Sequence, residues 1–259
     1  MKKLLIALVL LIAIVAAGVW FLLSSADGLI KEQIEKQGSK FLGVPVTVFN
    51  VDLALTDGRL TISDLDIENP EGFSKSDAFS LDSITLDLGG STSEPYVVQE
   101  VSLNAPEVLY ELDASGKGNL LVLKENIDKM LPKAKETPPS EPGANPLVIV
   151  ENVTIEAVKL KLDFENLPTG DVQLEKKIYE VTLPTFNAGS IGKPNGIPAD
   201  QVGAAIAKAM LDNVIAKAKE EAKNKIEEEA KKKIKEEVDK KKDELKDKAK
   251  DKLKDLLGG

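Results

Sequence analysis

The sequence predicts a mainly β protein with α: a curved antiparallel sheet of about eight strands forming a half-barrel or groove, a long C-terminal helix and an N-terminal transmembrane helix. Three observations predict it. From Val44 to Leu88 apolar and polar residues alternate in three runs separated by turns, as in half-buried strands. From Leu4 to Leu23 the chain carries no charge, and from Pro198 onward it is dominated by Ala, Glu and Lys at helical spacing.

Residues 1–26 are expected to anchor the chain. The twenty residues Leu4 to Leu23, rising ~1.5 Å each, span the ~30 Å core of a bilayer. Lys2 and Lys3 before the run place the N-terminus in the cytoplasm, and Trp20 suits the far interface. A cleaved signal peptide is the alternative, with Ser24 and Ala26 as the small residues near its cleavage site. Either way the remainder is exported. Residues 27–43 carry Leu29, Ile30, Ile34 and the Gln37/Phe41 side at helical spacing, an amphipathic linker helix leading into the first strand.

The sheet domain is expected over residues 44–196. Its first three strands share one irregularity, a single step of three between apolar positions: Val48 to Val51, Ile62 to Leu65, and Leu81 to Ile84. Such a step either marks a bulge or hands the apolar side to the other face, and three in succession predict a sheet curved by design. Strands resume at Tyr96 to Leu103 and Glu107 to Leu112, with Pro106 at the junction. Asn119 to Met130 reads as a short helix with Leu120, Leu123, Ile127 and Met130 on one face. Residues 132–146, rich in Pro, Glu, Ser and Gly, read as a linker. Strand pattern returns at Leu147 to Ile155 and Val158 to Phe164, then after Pro168-Thr169-Gly170 at Val172 to Ala188.

Residues 197–259 form the C-terminal helix, opened by Pro198 and Asp200. Val202, Ala205, Ile206, Ala209, Met210, Val214 and Ile215 make an apolar stripe able to lie on the sheet. Beyond Ala216 the repeat Ala218, Ala222, Ile226, Ala230, Ile234, Val238 steps by four, so it drifts ~40° per step and holds no single face. Glu-to-Lys pairs four apart, each worth ~0.2–0.5 kcal/mol, keep this part helical in water. A solvated rod is the plain expectation; Leu245, Ala249, Leu253, Leu256 and Leu257 would be the contacts if it meets a membrane surface or an envelope protein.

Composition narrows the chemistry. There is no His and no Cys, which removes imidazole acid-base chemistry, thiolate nucleophiles, the usual zinc ligand sets and disulfides. Aromatics are 4% of the chain and the net charge is −9, both unsuited to nucleic acid. Asp64, Asp66 and Glu68 alternate with apolar residues, as on a solvated strand face. Asn152-Val153-Thr154 matches a glycosylation sequon but falls in a strand pattern. No enzyme, metal or cofactor is expected. What remains is the apolar face itself, too wide for one helix ~10 Å across to cover. Val51, Leu53, Leu55, Leu60, Ile62, Ile84 and Leu86 are the candidate groove residues.

The segment GVPVTVFNVDLALTDGRLTISDLDIENPEGF followed by AFSLDSITLDL, with the turn Asn69, Pro70, Gly72 and Phe73 and the strand start Pro106-Glu107, resembles the N-terminal repeat of AsmA-like inner-membrane proteins of double-membraned bacteria. The likeness covers about Leu29 to Leu131, more loosely Leu147 to Ile215. It implies an inner-membrane protein with a single span and its bulk in the periplasm. The larger relatives are similar to bridge-like lipid-transfer proteins, so it also implies an apolar groove for phospholipid and a part in envelope or outer-membrane biogenesis. Eight strands at ~4.8 Å reach only ~40 Å, which favours a small tethered groove over a bridge. The alternative is a scaffold with a covered sheet and a helical tail reaching across the periplasm.

Overall fold

A computed structural model describes residues 27–91, 93–131, 145–167 and 176–257, with side chains described to residue 250. The anchor expected over 1–26 and most of the Pro-rich linker lie outside the described residues. Among the described residues no helix is long and apolar enough to cross a membrane.

Helix α1 (27–42) leads into β1 (Val46–Ala54), β2 (Arg59–Glu68) and β3 (Asp77–Asp87). Then come β4 (Tyr96–Val98), β5 (Glu100–Asn104), β6 (Glu107–Glu111) and α2 (Asn119–Met130). After them follow β7 (Leu147–Ile155), β8 (Val158–Asp163), β9 (Ile178–Leu183), β10 (Phe186–Ile191), the short β11 (Ile197–Pro198) and α3 (Ala199–Leu257). Among the described residues all strands belong to one eleven-stranded sheet. The expectation of about eight strands is corrected because two of the predicted runs are cut. Gln99 separates β4 from β5, Pro184 and Thr185 separate β9 from β10, and β11 adds a two-residue pairing with β7.

The segments are pieces of longer strands. Tyr96 pairs with Val148, Val101 with Val153 and Glu111 with Asp163, so β4–β6 and β7–β8 run side by side at one constant offset of 52. That pairing is parallel, which corrects the expectation of a wholly antiparallel sheet. A parallel pair needs a crossover of a dozen or more residues. Here the crossover holds α2 and the Pro-rich stretch, so the linker is the connection that lets the strand direction repeat. The two runs carry the same pattern, with Val98, Val101, Leu103, Val108 and Tyr110 against Val150, Val153, Ile155, Leu160 and Leu162.

One crease crosses every strand. The register is unchanged on both sides of a gap between Val48–Leu65 and Asn50–Ser63, which leaves Phe49 opposite Asp64 without a ladder pair. Continued strand by strand, the same row runs through Asp82, Ala105, Ala157 and Pro184. The two non-glycine residues with positive φ among the described residues, Asp64 and Ala105, both at 49°, stand in it. The steps of three are therefore irregularities at one registered line. Because a residue drops out of alternation in each strand, the apolar side stays on one face: Ile62 and Leu65 line one cavity, and so do Leu81 and Ile84. Interrupting every ladder along one row bends the sheet there.

The core lies on the inner face. Val150, Val153, Ile155, Val158 and Leu162 of β7–β8 pack with Leu120, Leu123 and Ile127 of α2 and Val214 of α3, all essentially without exposure. α3 stays against this body further than expected, because Ala218 and Ala222 are buried as well; their small side chains let the helix approach closely. From residue 235 to 250 every side chain is exposed.

Candidate functional site

The cavity starts from an edge. Among the described residues strand β1 has no neighbour beyond it, and an open edge presents unpaired backbone groups. Helix α1 covers it with side chains spaced four apart. Asp27 Oδ1 accepts from the Leu53 N–H at 3.2 Å and Glu35 Oε1 from the Val48 N–H at 3.0 Å. Ser39 Oγ accepts from the Val46 N–H at 2.9 Å, and Lys31 Nζ donates to the Phe49 carbonyl at 3.1 Å. Four helical residues advance ~6 Å and two strand residues ~6.6 Å, so one polar face of α1 can track the strand. The helix then ends at Gly43, at φ 72°, whose N–H bonds to the Ser39 carbonyl at 2.9 Å.

Fixing that polar face turns the apolar one, Ile30, Ile34, Phe41 and Leu42, over the concave side of the sheet. The start of α3 approaches the same side. Between the helices and the sheet lies a cavity of about 610 Å³. Small residues leave this space: Ala199, Gly203, Ala204 and Ala207 line it from α3. A Cβ added at Gly203 would meet no atom within 4 Å, whereas at Gly38 of α1 it would meet Val46 at 3.2 Å. Thus α1 is pressed onto the sheet and the first turns of α3 stand off it.

The lining is almost wholly apolar. Of the seven candidate groove residues, Leu60, Ile62, Ile84 and Leu86 line the cavity. Val51 is buried in the core beside it, Leu53 is half-buried near the start of α1, and Leu55 lies in the 3-10 turn Leu55–Asp57, 56% exposed. Leu60 and Ile62 are the register partners of Leu53 and Val51, so the division follows the place of β1 at the sheet edge, where α1 bonds to it. Residues not singled out from sequence complete the wall, notably Leu65, Ile67, Leu81, Val101 and Leu103. Among the described residues the polar groups at the cavity are Gln33, Gln37 and Asp200, of which Asp200 alone is charged. Asp200 Oδ1 accepts from Asn145 Nδ2 at 2.7 Å. Among the described residues no group of acidic side chains is arranged to hold a metal ion. A wall of this kind can hold methylene and methyl groups and offers little to a charge.

The turn residues hold the frame. Asn69 Nδ2 donates to Glu111 Oε2 at 3.0 Å, and Asn69 Oδ1 accepts from Asn119 Nδ2 at 2.8 Å. Asn119, fully buried, also donates to the Leu109 carbonyl at 2.8 Å and accepts from the Glu111 N–H at 3.0 Å. The Ser74 N–H donates to both oxygens of the 2% exposed Glu111 carboxylate. Gly72, at φ 94°, and the 3.2 Å bond from Phe73 N–H to the Pro70 carbonyl close the turn. Asn69 thereby ties the β2–β3 turn to β6 and the first turn of α2. Sequence reading found the turn but not Glu111 or Asn119, and an isolated Asn at a helix start carried no further signal.

No protein-family model, no curated protein and no solved structure matches this chain. On the outer face, the sheet carries a second depression of about 700 Å³, lined by Asp77, Glu107, Lys159, Lys161 and Glu180 among others. Lys159 Nζ pairs with Glu107 Oε1 at 2.6 Å there. Charges mixed in sign are those of a solvated sheet face.

Proposed function

We propose that this chain is a non-enzymatic envelope protein, held at the inner membrane by residues 1–26 with its bulk in the periplasm, that takes the apolar part of a lipid into the concave cavity and assists its transfer during envelope or outer-membrane biogenesis. In this reading the curved sheet is a groove, and the AsmA-like turn at Asn69 to Phe73 belongs to the frame that shapes it. The observation that carries the reading is the cavity wall, apolar except for Gln33, Gln37 and Asp200 among the described residues. Its volume, about 610 Å³, falls in the ~300–1,000 Å³ range of small-molecule sites. Filled with an acyl chain, the same wall gains ~0.8 kcal/mol per buried methylene. Leu29, 63% exposed at the rim, follows six positions after Leu23, so the anchor would hold the mouth near the bilayer.

The test is native mass spectrometry of the full chain purified from cells in mild detergent, with Ile84→Glu and Leu86→Glu alongside and helicity checked by circular dichroism. Lipid at about one per chain, lost in folded variants, is the expected result. A folded chain carrying no lipid would overturn the reading. The tethered scaffold is the second reading, and the observation favouring it is the exposed continuation of α3 beyond the sheet.

A further inference from the structure

The outer part of α3 is sided in a way that its composition hides. Ile234, Val238 and Leu245 are 63%, 57% and 68% exposed, and at ~100° per residue they fall within about 40° of one another. Lys231, Lys241, Lys242 and Lys248 lie within ~60° of the middle of that seam and Lys235 within ~80°. Glu236, Asp239, Asp243 and Asp247 sit on the opposite side, with Glu237 and Glu244 at the margins. Residues 231–250 hold 10 Lys and 6 acidic residues, a net charge of +4 in a chain whose total is −9. Lys232, Lys233, Lys240, Lys246 and Lys250 lie on the side of the carboxylates and are balanced by them, so the net positive charge falls on the apolar side of this exposed segment.

We infer that this face of α3 docks on an anionic lipid bilayer. The seam is three residues wide and interrupted by Lys241. Pairing with a second copy would place Ile234 and Val238 at core positions of a heptad, and with them Lys241 and Lys248, setting like charges together in a dry interface. On a bilayer the same lysines lay their methylenes beside the seam and lift their ammonium groups to the phosphates. The carboxylates then face water, away from the negative surface.

The chain has no Cys, so Val238→Cys can carry a single environment-sensitive fluorophore, and Asp243→Cys reports the opposite side. The full chain is reconstituted into phosphatidylcholine vesicles with or without phosphatidylglycerol. The expected result is a blue shift of the label at position 238 in the anionic vesicles alone, none at position 243, and a loss of the shift in high salt. A background of K241E, K242E and K248E, all exposed positions, is expected to reduce the shift several-fold with helicity unchanged. A label at 238 that stays aqueous in anionic vesicles overturns the inference. A shift equal in neutral vesicles and rising with protein concentration also overturns it, assigning the seam to a second copy.

Discussion

Asp64 and Ala105 share a φ of 49° and stand in one row of the sheet, separated by the single intervening residue Asp82 of β3. Left-handed backbone costs an L residue about 1–2 kcal/mol, so the row stores strain where the sheet bends. Ala157 lies beside Ala105 in the same row and has no positive φ.

The paired alanines give a test of opposite signs. Ala105→Gly is expected to stabilise the fold by about 1 kcal/mol, because glycine adopts positive φ without a Cβ clash. Ala157→Gly is expected to destabilise it by about 0.5–1 kcal/mol through the entropy of the unfolded chain. Urea unfolding of both variants measures the difference, and equal signs would remove strain from the account of the crease.

Gly203→Leu should fill the cavity from α3. The added side chain enters open space, and replacing glycine in a helix interior gains about 0.8 kcal/mol before any burial. The melting temperature is expected to rise while lipid occupancy falls. A rise in both would show that Gly203 faces a part of the cavity the ligand does not use.

Asn119→Ala is expected to cost about 3 kcal/mol, since it strands the buried Leu109 carbonyl and the Glu111 N–H, each worth ~1–3 kcal/mol when unsatisfied. Hydrogen exchange should show the first turn of α2 and the β2–β3 turn opening together. Loss of protection in α2 alone would mean that Asn69 does not couple them.

Two carboxylates should respond to pH in opposite directions. Asp128 of α2 is held below the usual carboxylate range by hydrogen bonds from Lys208 of α3 and Lys124, and Lys124 also meets Asp212 of α3 at 3.0 Å. A lowered folded value stabilises above the unfolded value, ~3.9, and that contribution is lost as pH falls through the folded one. Asp66 is pushed up by burial and by the nearby charges of Asp77 and Asp64. Its ionisation opposes folding at neutral pH, and the penalty disappears as pH falls below its unfolded value. Asp128→Asn should therefore destabilise and Asp66→Asn stabilise at pH 7, each by no more than the ~0–1 kcal/mol of exposed pairs. In thermal melts the Asp66 difference should fade as pH falls below ~3.9, and the Asp128 difference should persist to lower pH, until the pH passes its lowered folded value.

How much was legible follows from the range of each interaction. Short-range patterns placed α2 at Asn119 to Met130 and β7 at Leu147 to Ile155, and they located the three steps of three and the helix opening at Pro198 and Asp200. Four of the seven groove candidates reached the cavity wall because alternation fixes the face of a side chain. Alternation does not fix what lies over that face, which is why Leu53 and Leu55 fell outside. The parallel step between β6 and β8 was not read either, although Val98 to Tyr110 and Val150 to Leu162 repeat one pattern at an offset of 52.

The sequence by itself determined the elements, their apolar sides and the absence of His and Cys chemistry, because periodicity and composition are local properties. Only the tertiary structure decided that six irregularities form one crease, that Asp27, Lys31, Glu35 and Ser39 cap the β1 edge, and that Gly203 and Ala207 stand off the sheet to leave a cavity. Each of these depends on register between segments far apart in the chain, which the packing of the whole sets and no single stretch encodes.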